Sequence, residues 1–225
     1  MNEENPYTKM QKSQYYSGTS NHLNHNDNPD YWNILLSPLK DSEKWKNKNG
    51  LDFACGKGRN VTNLFKMCEW NKVDGIDISF SNIEYCRSEY KGQKSSWYLN
   101  NGIDVSELKS GEYDFIMSTI ALQHIPVYDI RKSLIADLYR VLSSGGVFSF
   151  QMGFGSVVNG SASGYYENFY SAQGTNSVND VRVIDKNEII SDLISIGFES
   201  VECQVRDSFS DDGHPQWIYT IAIKK

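Results

Sequence analysis

The chain has 225 residues, 39% of them hydrophobic, enough for one substantial core and too few for two full-sized domains. A formal net charge of -6 repels nucleic acid and anionic membrane surfaces on average, which leaves a small molecule as the expected partner. Cys55, Cys68, Cys86 and Cys203 are scattered without a C-x-x-C pair, a spacing that suits neither a disulfide framework nor a zinc knuckle, and no metal is expected.

In chain order, the opening MNEENPYTKMQKSQYY is polar and lacks the apolar core of a signal peptide. No apolar run approaches the roughly 20 residues that span a bilayer, so a soluble, cytoplasmic protein is expected. Residues 1–49 read as an N-terminal helical cap. Its helix is expected after Asn28-Pro29, with Tyr31, Trp32, Leu35 and Leu36 on one side.

Residues 50–152 alternate short apolar runs with helical periodicity, the pattern of a parallel sheet flanked by helices. The expected strands are Leu51 to Ala54, Val73 to Ile78, Ser96 to Asn100, Tyr113 to Ser118 and Val147 to Met152. Between them come a helix from Arg59 to Cys68, a second capped by Ser79, and a third striped by Ile130, Leu134, Ile135, Leu138, Val141 and Leu142. That third helix is expected to stop at Ser144-Gly145-Gly146, with glycine as its left-handed cap. Residues 153–182, rich in Gly, Ser, Asn and Tyr, are too long for an ordinary connection and read as a lid insertion after strand 5. Residues 183–225 supply a helix opened by the Asp185/Glu188 capping box and closed at Gly197, then two strands expected to pair as an antiparallel hairpin.

The chemistry concentrates in DFACGKGRN, Asp52 to Asn60, a glycine-rich turn between a strand and a helix start. Such a turn lets a ligand touch the main chain while helix N–H groups face negative charge. Asp77 closes the next strand, where a carboxylate accepts hydrogen bonds from both hydroxyls of a ribose. Together they narrow the ligand to something adenosine-like. A dinucleotide site wants glycine where Val61 stands, for close helix-to-strand packing, which disfavours a nicotinamide dehydrogenase.

LDFACGKGR resembles the first motif of the class I S-adenosylmethionine-dependent methyltransferases, of the type 11/12-like small-molecule branch. GIDIS resembles their ribose-binding strand end, YDFIMS their fourth strand, LQHI the turn after it, and LYRVLSSGG their R-V-L-x-x-G-G helix exit. The resemblance implies a Rossmann-like α/β fold with seven strands, mostly parallel, the last antiparallel, and helices on both faces. It implies S-adenosylmethionine as cofactor, with the main chain from Ala54 through Gly56 to Gly58 facing its methionine part. Asp52 would reach the amino group, Asp77 the ribose and Asn101 the adenine amino group. The Gly102 amide would meet a ring nitrogen, Ile78 the adenine face, and the Ser118 carbonyl the methionine amine. Ala54 departs from the family, which has glycine there.

His124 has two readings, a base that takes a proton from a substrate hydroxyl, or a side chain bonded to its own turn. Tyr16, Tyr165, Tyr166 and Asn168 are candidate substrate contacts from cap and lid, with a purely structural role as the alternative. The strand-four exit lacks the (D/N/S)-P-P-aromatic string of enzymes that methylate nucleic-acid bases. The polar and aromatic cap and lid favour a small, hydroxyl-rich acceptor, so O-methylation of a sugar, nucleotide sugar or related hydroxyl is the first expectation. N-methylation of a small amine and a catalytically silent binding subunit stand as alternatives, and the sequence leaves the oligomeric state open.

Overall fold

Seven strands form one sheet: β1 (Asn49–Phe53), β2 (Lys72–Asp77), β3 (Trp97–Leu99), β4 (Tyr113–Ser118), β5 (Leu142–Phe154), β6 (Phe198–Asp207) and β7 (Gln216–Lys224). The computed structural model describes residues 28–125, 127–155, 182–183, 185–208 and 216–225. Strand order is β3-β2-β1-β4-β5-β7-β6. Every pair from β3 to β5 is parallel, and only β7 runs against both its neighbours. This is the Rossmann-like methyltransferase arrangement that the sequence motifs imply. Its order reverses at β1/β4, and a ligand crevice opens outside the carboxyl ends of the strands at such a reversal.

Among the described residues four α-helices cover the sheet: α1 (Arg59–Met67), α2 (Phe80–Glu89), α3 (Tyr128–Val141) and α4 (Lys186–Ile196). Parallel strands buried on both faces need apolar side chains on both. Accordingly Leu51, Ile76, Ile116 and Phe148 pack with Leu134, Leu138 and Val141 of α3 and Ile189 and Leu193 of α4. On the opposite face Val73, Phe115, Met117 and Val147 meet Val61 and Leu64 of α1, Ile83 of α2, and the cap residues Tyr31, Leu35, Leu36, Leu39 and Trp45.

The segment after Pro29 is helical as expected, widening into a π-helix over Tyr31–Leu35 before tight turns at Ser37–Leu39 and Ser42–Trp45. Pro38, which lacks an N–H, sits at the start of the first tight turn. One local expectation needs correction, the end of α3. The helix stops at Val141, Leu142 is already extended, and Gly145, with φ of 74°, lies in a bulge inside β5. The carbonyls at the helix end are taken by Lys224 of β7, whose Nζ donates to Tyr139 O at 2.7 Å and Leu142 O at 2.7 Å. A cation there also complements the helix dipole.

Other local readings hold. Ser79 Oγ accepts from Asn82 N at 3.3 Å, Asp185 caps α4 by accepting from Asn187 N at 2.9 Å, and Gly197 follows α4 with φ of 126°. Tyr16, Tyr165, Tyr166 and Asn168 lie outside the described residues, as does the expected lid except for 153–155 and Arg182. Among the described residues no helix is long and apolar enough to cross a membrane.

Candidate active site at the carboxyl ends of the central strands

Registry brings the expected residues together. Asp52 lies opposite Gly75 on β2 and Met117 on β4, so the ends of β1, β2 and β4, with Phe53, Asp77 and Ser118, share one edge of the sheet. The glycine-rich turn folds over that edge. Cys55 N donates to Ile76 O at 3.0 Å, and Gly56 N donates to Asp77 Oδ2 at 2.8 Å.

Ala54, Gly56 and Gly58 all have left-handed backbones, with φ of 61°, 52° and 81°. At Gly58 the close approach comes from the protein itself. An added Cβ would lie 2.7 Å from the Tyr90 ring and 2.9 Å from the Trp97 ring, which stack on each other beneath the turn. Alanine at 54 carries a Cβ into a conformation that costs non-glycine residues about 1–2 kcal/mol. A second strained residue is Ile120, a β-branched side chain at φ of 53° in the exit from β4.

Asp52 is fully buried. Its Oδ1 accepts from Asn60 Nδ2 at 3.0 Å, and its Oδ2 has no partner. Burial pushes its carboxyl up to about 7, opposed by the Asn60 hydrogen bond and by Arg59, and helped by the nearby Asp77. Asp77 is also raised by burial, although its carboxylate accepts from Ser79 N, Gly56 N and the Asn82 side chain. A carboxylate has about four lone-pair positions, so one stays open beside these three donors. Ser118 is buried with its Oγ unpartnered.

At the ends of β2 and β3, Ile78 is half-buried and Leu99 is 38% exposed. Here the polar groups are already engaged. Asn101 Oδ1 accepts from Ile103 N and Asp104 N, its Nδ2 donates to Asp104 Oδ1, and Gly102 N donates to Asn100 Oδ1 at 2.6 Å.

His124 is half-buried and ends a tight turn, Leu122–His124, with its N–H on Ala121 O at 2.9 Å. Arg131 of α3 pins this turn by donating to Ile125 O.

The structure adds residues that motif reading passed over. Gln123 is completely buried with neither amide atom partnered. Asn60 links Asp52 to Thr119 Oγ1 at 3.0 Å and accepts from Tyr31 Oη at 2.9 Å. Arg59 donates to Thr119 Oγ1 at 3.2 Å and lies 5.7 Å from the Tyr31 ring. The only sequence signal for these residues was polarity at interior positions of helix-like and strand-exit segments.

The methyltransferase domain family matches residues 51–150, the segment that runs from within β1 to within β5 and holds every group described above except Tyr31. That match and the strand order agree. Residues 51–150 form a class I methyltransferase domain.

Structural neighbours of this domain carry the same fold. A methyltransferase of Mesorhizobium loti, described as S-adenosylmethionine-dependent, is 17% identical with TM-score 0.63, over 88% of this chain and 99% of that one. Phosphoethanolamine N-methyltransferase 2 of Haemonchus contortus, solved with phosphomonomethylethanolamine and S-adenosylhomocysteine, is 16% identical with TM-score 0.61, over 86% of this chain and 52% of that one. The chain thus spans about half the length of the nematode enzyme. Among curated proteins, the iron-sulfur cluster assembly protein SufB of Plasmodium falciparum is 29% identical over 77 residues, 32% of this chain and 16% of that protein. That short overlap carries no functional argument.

A class I methyltransferase domain takes S-adenosylmethionine as its methyl donor, and the residues present fit such a ligand. Buried polar atoms without partners each cost about 1–3 kcal/mol. Here Asp52 Oδ2 is such an atom, at the end of β1 where the left-handed turn begins. An ammonium-bearing ligand at that strand end would relieve its cost.

Proposed function

We propose that the chain transfers a methyl group from S-adenosylmethionine to a small polar acceptor, with O-methylation of a sugar, nucleotide sugar or related hydroxyl as the first reading. The observation that carries it is the orphaned buried carboxylate oxygen Asp52 Oδ2 at the switch point of a methyltransferase sheet. Asp52 and the end of β4 are assigned to the amino acid end of the cofactor, the turn of Ala54, Gly56 and Gly58 to its methionine chain, and Asp77 to its ribose. Ile78, Asn101 and Gly102 are assigned to the adenine. Contact through the Gly102 N–H requires Asn100 Oδ1 to release it.

S-adenosylmethionine supplies an activated methyl group, so the protein's own work is alignment and exclusion of water. Such positioning accounts for about 7–11 kcal/mol of a barrier. His124 and the unpartnered amide of Gln123 are assigned to the acceptor. The imidazole takes the proton of a hydroxyl, while the amide donates through Nε2 and accepts through Oε1. Tyr16, Tyr165, Tyr166 and Asn168 remain candidate acceptor contacts.

Amine N-methylation is the second reading, favoured by likeness to a fold neighbour that is an N-methyltransferase. An amine delivered neutral needs no strong base, so His124→Ala separates the two readings: large loss of turnover for a hydroxyl acceptor, near-retention for an amine. The test is a screen of sugars, nucleotide sugars and small amines with methyl-labelled cofactor, read by mass spectrometry. Transfer of label to one of these classes is expected. Absence of cofactor binding at millimolar concentration in calorimetry would remove both enzyme readings and leave a silent binding subunit.

A further inference from the structure

Tyr31 belongs to the segment before the sheet, yet its hydroxyl ends a buried hydrogen-bond chain that reaches the cofactor turn. Tyr31 Oη donates to Asn60 Oδ1 at 2.9 Å and accepts from Asn63 Nδ2 at 3.2 Å. Asn60 in turn spends its amide on Asp52 Oδ1 at 3.0 Å and Thr119 Oγ1 at 3.0 Å. An asparagine amide can point either way, and the Tyr31 hydroxyl at 2.9 Å, with a longer bond from Arg59 Nε at 3.4 Å to the same oxygen, selects the orientation that presents NH2 to the carboxylate. Asn63 helps by donating to that hydroxyl and leaving its proton for Asn60. The result is one Asp52 oxygen held by the protein and one left over.

We propose that Tyr31 and Asn60 are positioning residues for the amino acid end of the cofactor, acting by fixing the rotamer and charge of Asp52; this rests on the cofactor reading given above. The segment before the sheet is then part of the binding site, and its docking sets cofactor affinity. The groups acting electrostatically on Asp52 are Arg59 of α1, which favours its carboxylate, and Asp77 of β2, which disfavours it. Asn60 adds the only direct hydrogen bond to the carboxylate among the described residues.

The test uses the full chain and two nucleosides, S-adenosylhomocysteine and 5′-methylthioadenosine, which lacks the amino acid end. Tyr31→Phe keeps the ring in the core and removes one hydroxyl. It is expected to weaken S-adenosylhomocysteine about tenfold, the cost of one hydrogen bond to an ordered partner, and to leave 5′-methylthioadenosine unchanged. Asn60→Leu is expected to weaken the first ligand further, still sparing the second. It is also expected to move the pH midpoint of S-adenosylhomocysteine affinity upward, because Asp52 loses the bond that favours its charged form. Equal weakening of both nucleosides, unchanged affinity for S-adenosylhomocysteine, or an unmoved midpoint would each overturn the positioning role. A wild-type chain that binds neither nucleoside would remove the cofactor reading itself, and this proposal with it.

Discussion

Asp52 is a carboxyl buried completely, with one oxygen left without a partner. Its folded-state carboxyl is raised from 3.8 to about 7 by burial, so between those values the folded chain holds a proton that the unfolded chain has released. Stability contributed by this group is therefore full at low pH and lost as pH rises through about 7. Urea denaturation of the ligand-free chain should show stability falling from about pH 4 to pH 7, and Asp52→Asn should flatten the fall. Asp77, also raised, leaves a residual slope of the same sign. Ala54 makes a second prediction at this scale. Its left-handed backbone costs about 1–2 kcal/mol, while glycine would cost about 0.4–1 kcal/mol through added freedom in the unfolded chain. The strain wins by a small margin, so Ala54→Gly should raise stability by up to about 1 kcal/mol, read as a higher melting temperature. The motif singled out Asp52, Ala54, Gly56, Gly58 and Asp77 because a glycine-rich turn and a strand-end carboxylate constrain backbone and charge locally. It passed over Gln123 because an unpartnered buried amide looks, in a sequence, like any polar residue in a turn.

At the scale of elements, boundaries set by local chemistry were legible and those set by distant partners were not. The caps at Ser79 and Asp185 are side chains bonding main-chain donors within three residues, so the letters alone place them. The end of α3 is different. Its carbonyls meet Lys224, more than eighty positions away in sequence, through bonds that exist only because β7 inserts between β5 and β6. The nearby glycines were taken for the cap, whereas Gly146 is required in β5 because a Cβ would lie 2.8 Å from Ser143 O. Lys224→Met should keep the apolar stem, strip two charge-assisted bonds and cost about 1–3 kcal/mol, measurable by chemical denaturation. A drop smaller than a few tenths would show that water caps the helix equally well.

Across the whole molecule, the segment before the sheet is bound by an aromatic cluster and by the polar chain through Tyr31. Trp45 is 2% exposed, its ring lies 5.4 Å from Phe115 of β4 and 5.8 Å from Trp70, and its indole N–H donates to Pro38 O at 2.8 Å. Ser149 of β5 donates to Leu35 O at 2.6 Å, a second tie from sheet to cap. Trp45→Ala should cost about 3–5 kcal/mol on denaturation, as large aromatic truncations in cores do. By loosening Tyr31 it should also weaken S-adenosylhomocysteine binding in calorimetry; retained affinity would separate the cap from the site. The sequence by itself determined the alternating strands and helices, the methyltransferase motifs and the carboxylates of the turn, because periodicity, glycine placement and strand-end charge act over a few residues. Only the tertiary structure decided which polar atoms are left without partners, what lies beneath Gly58, and that Tyr31 is joined to Asp52. Those facts depend on burial and on contacts between distant segments, which exist only once the sheet has assembled and its cap has docked.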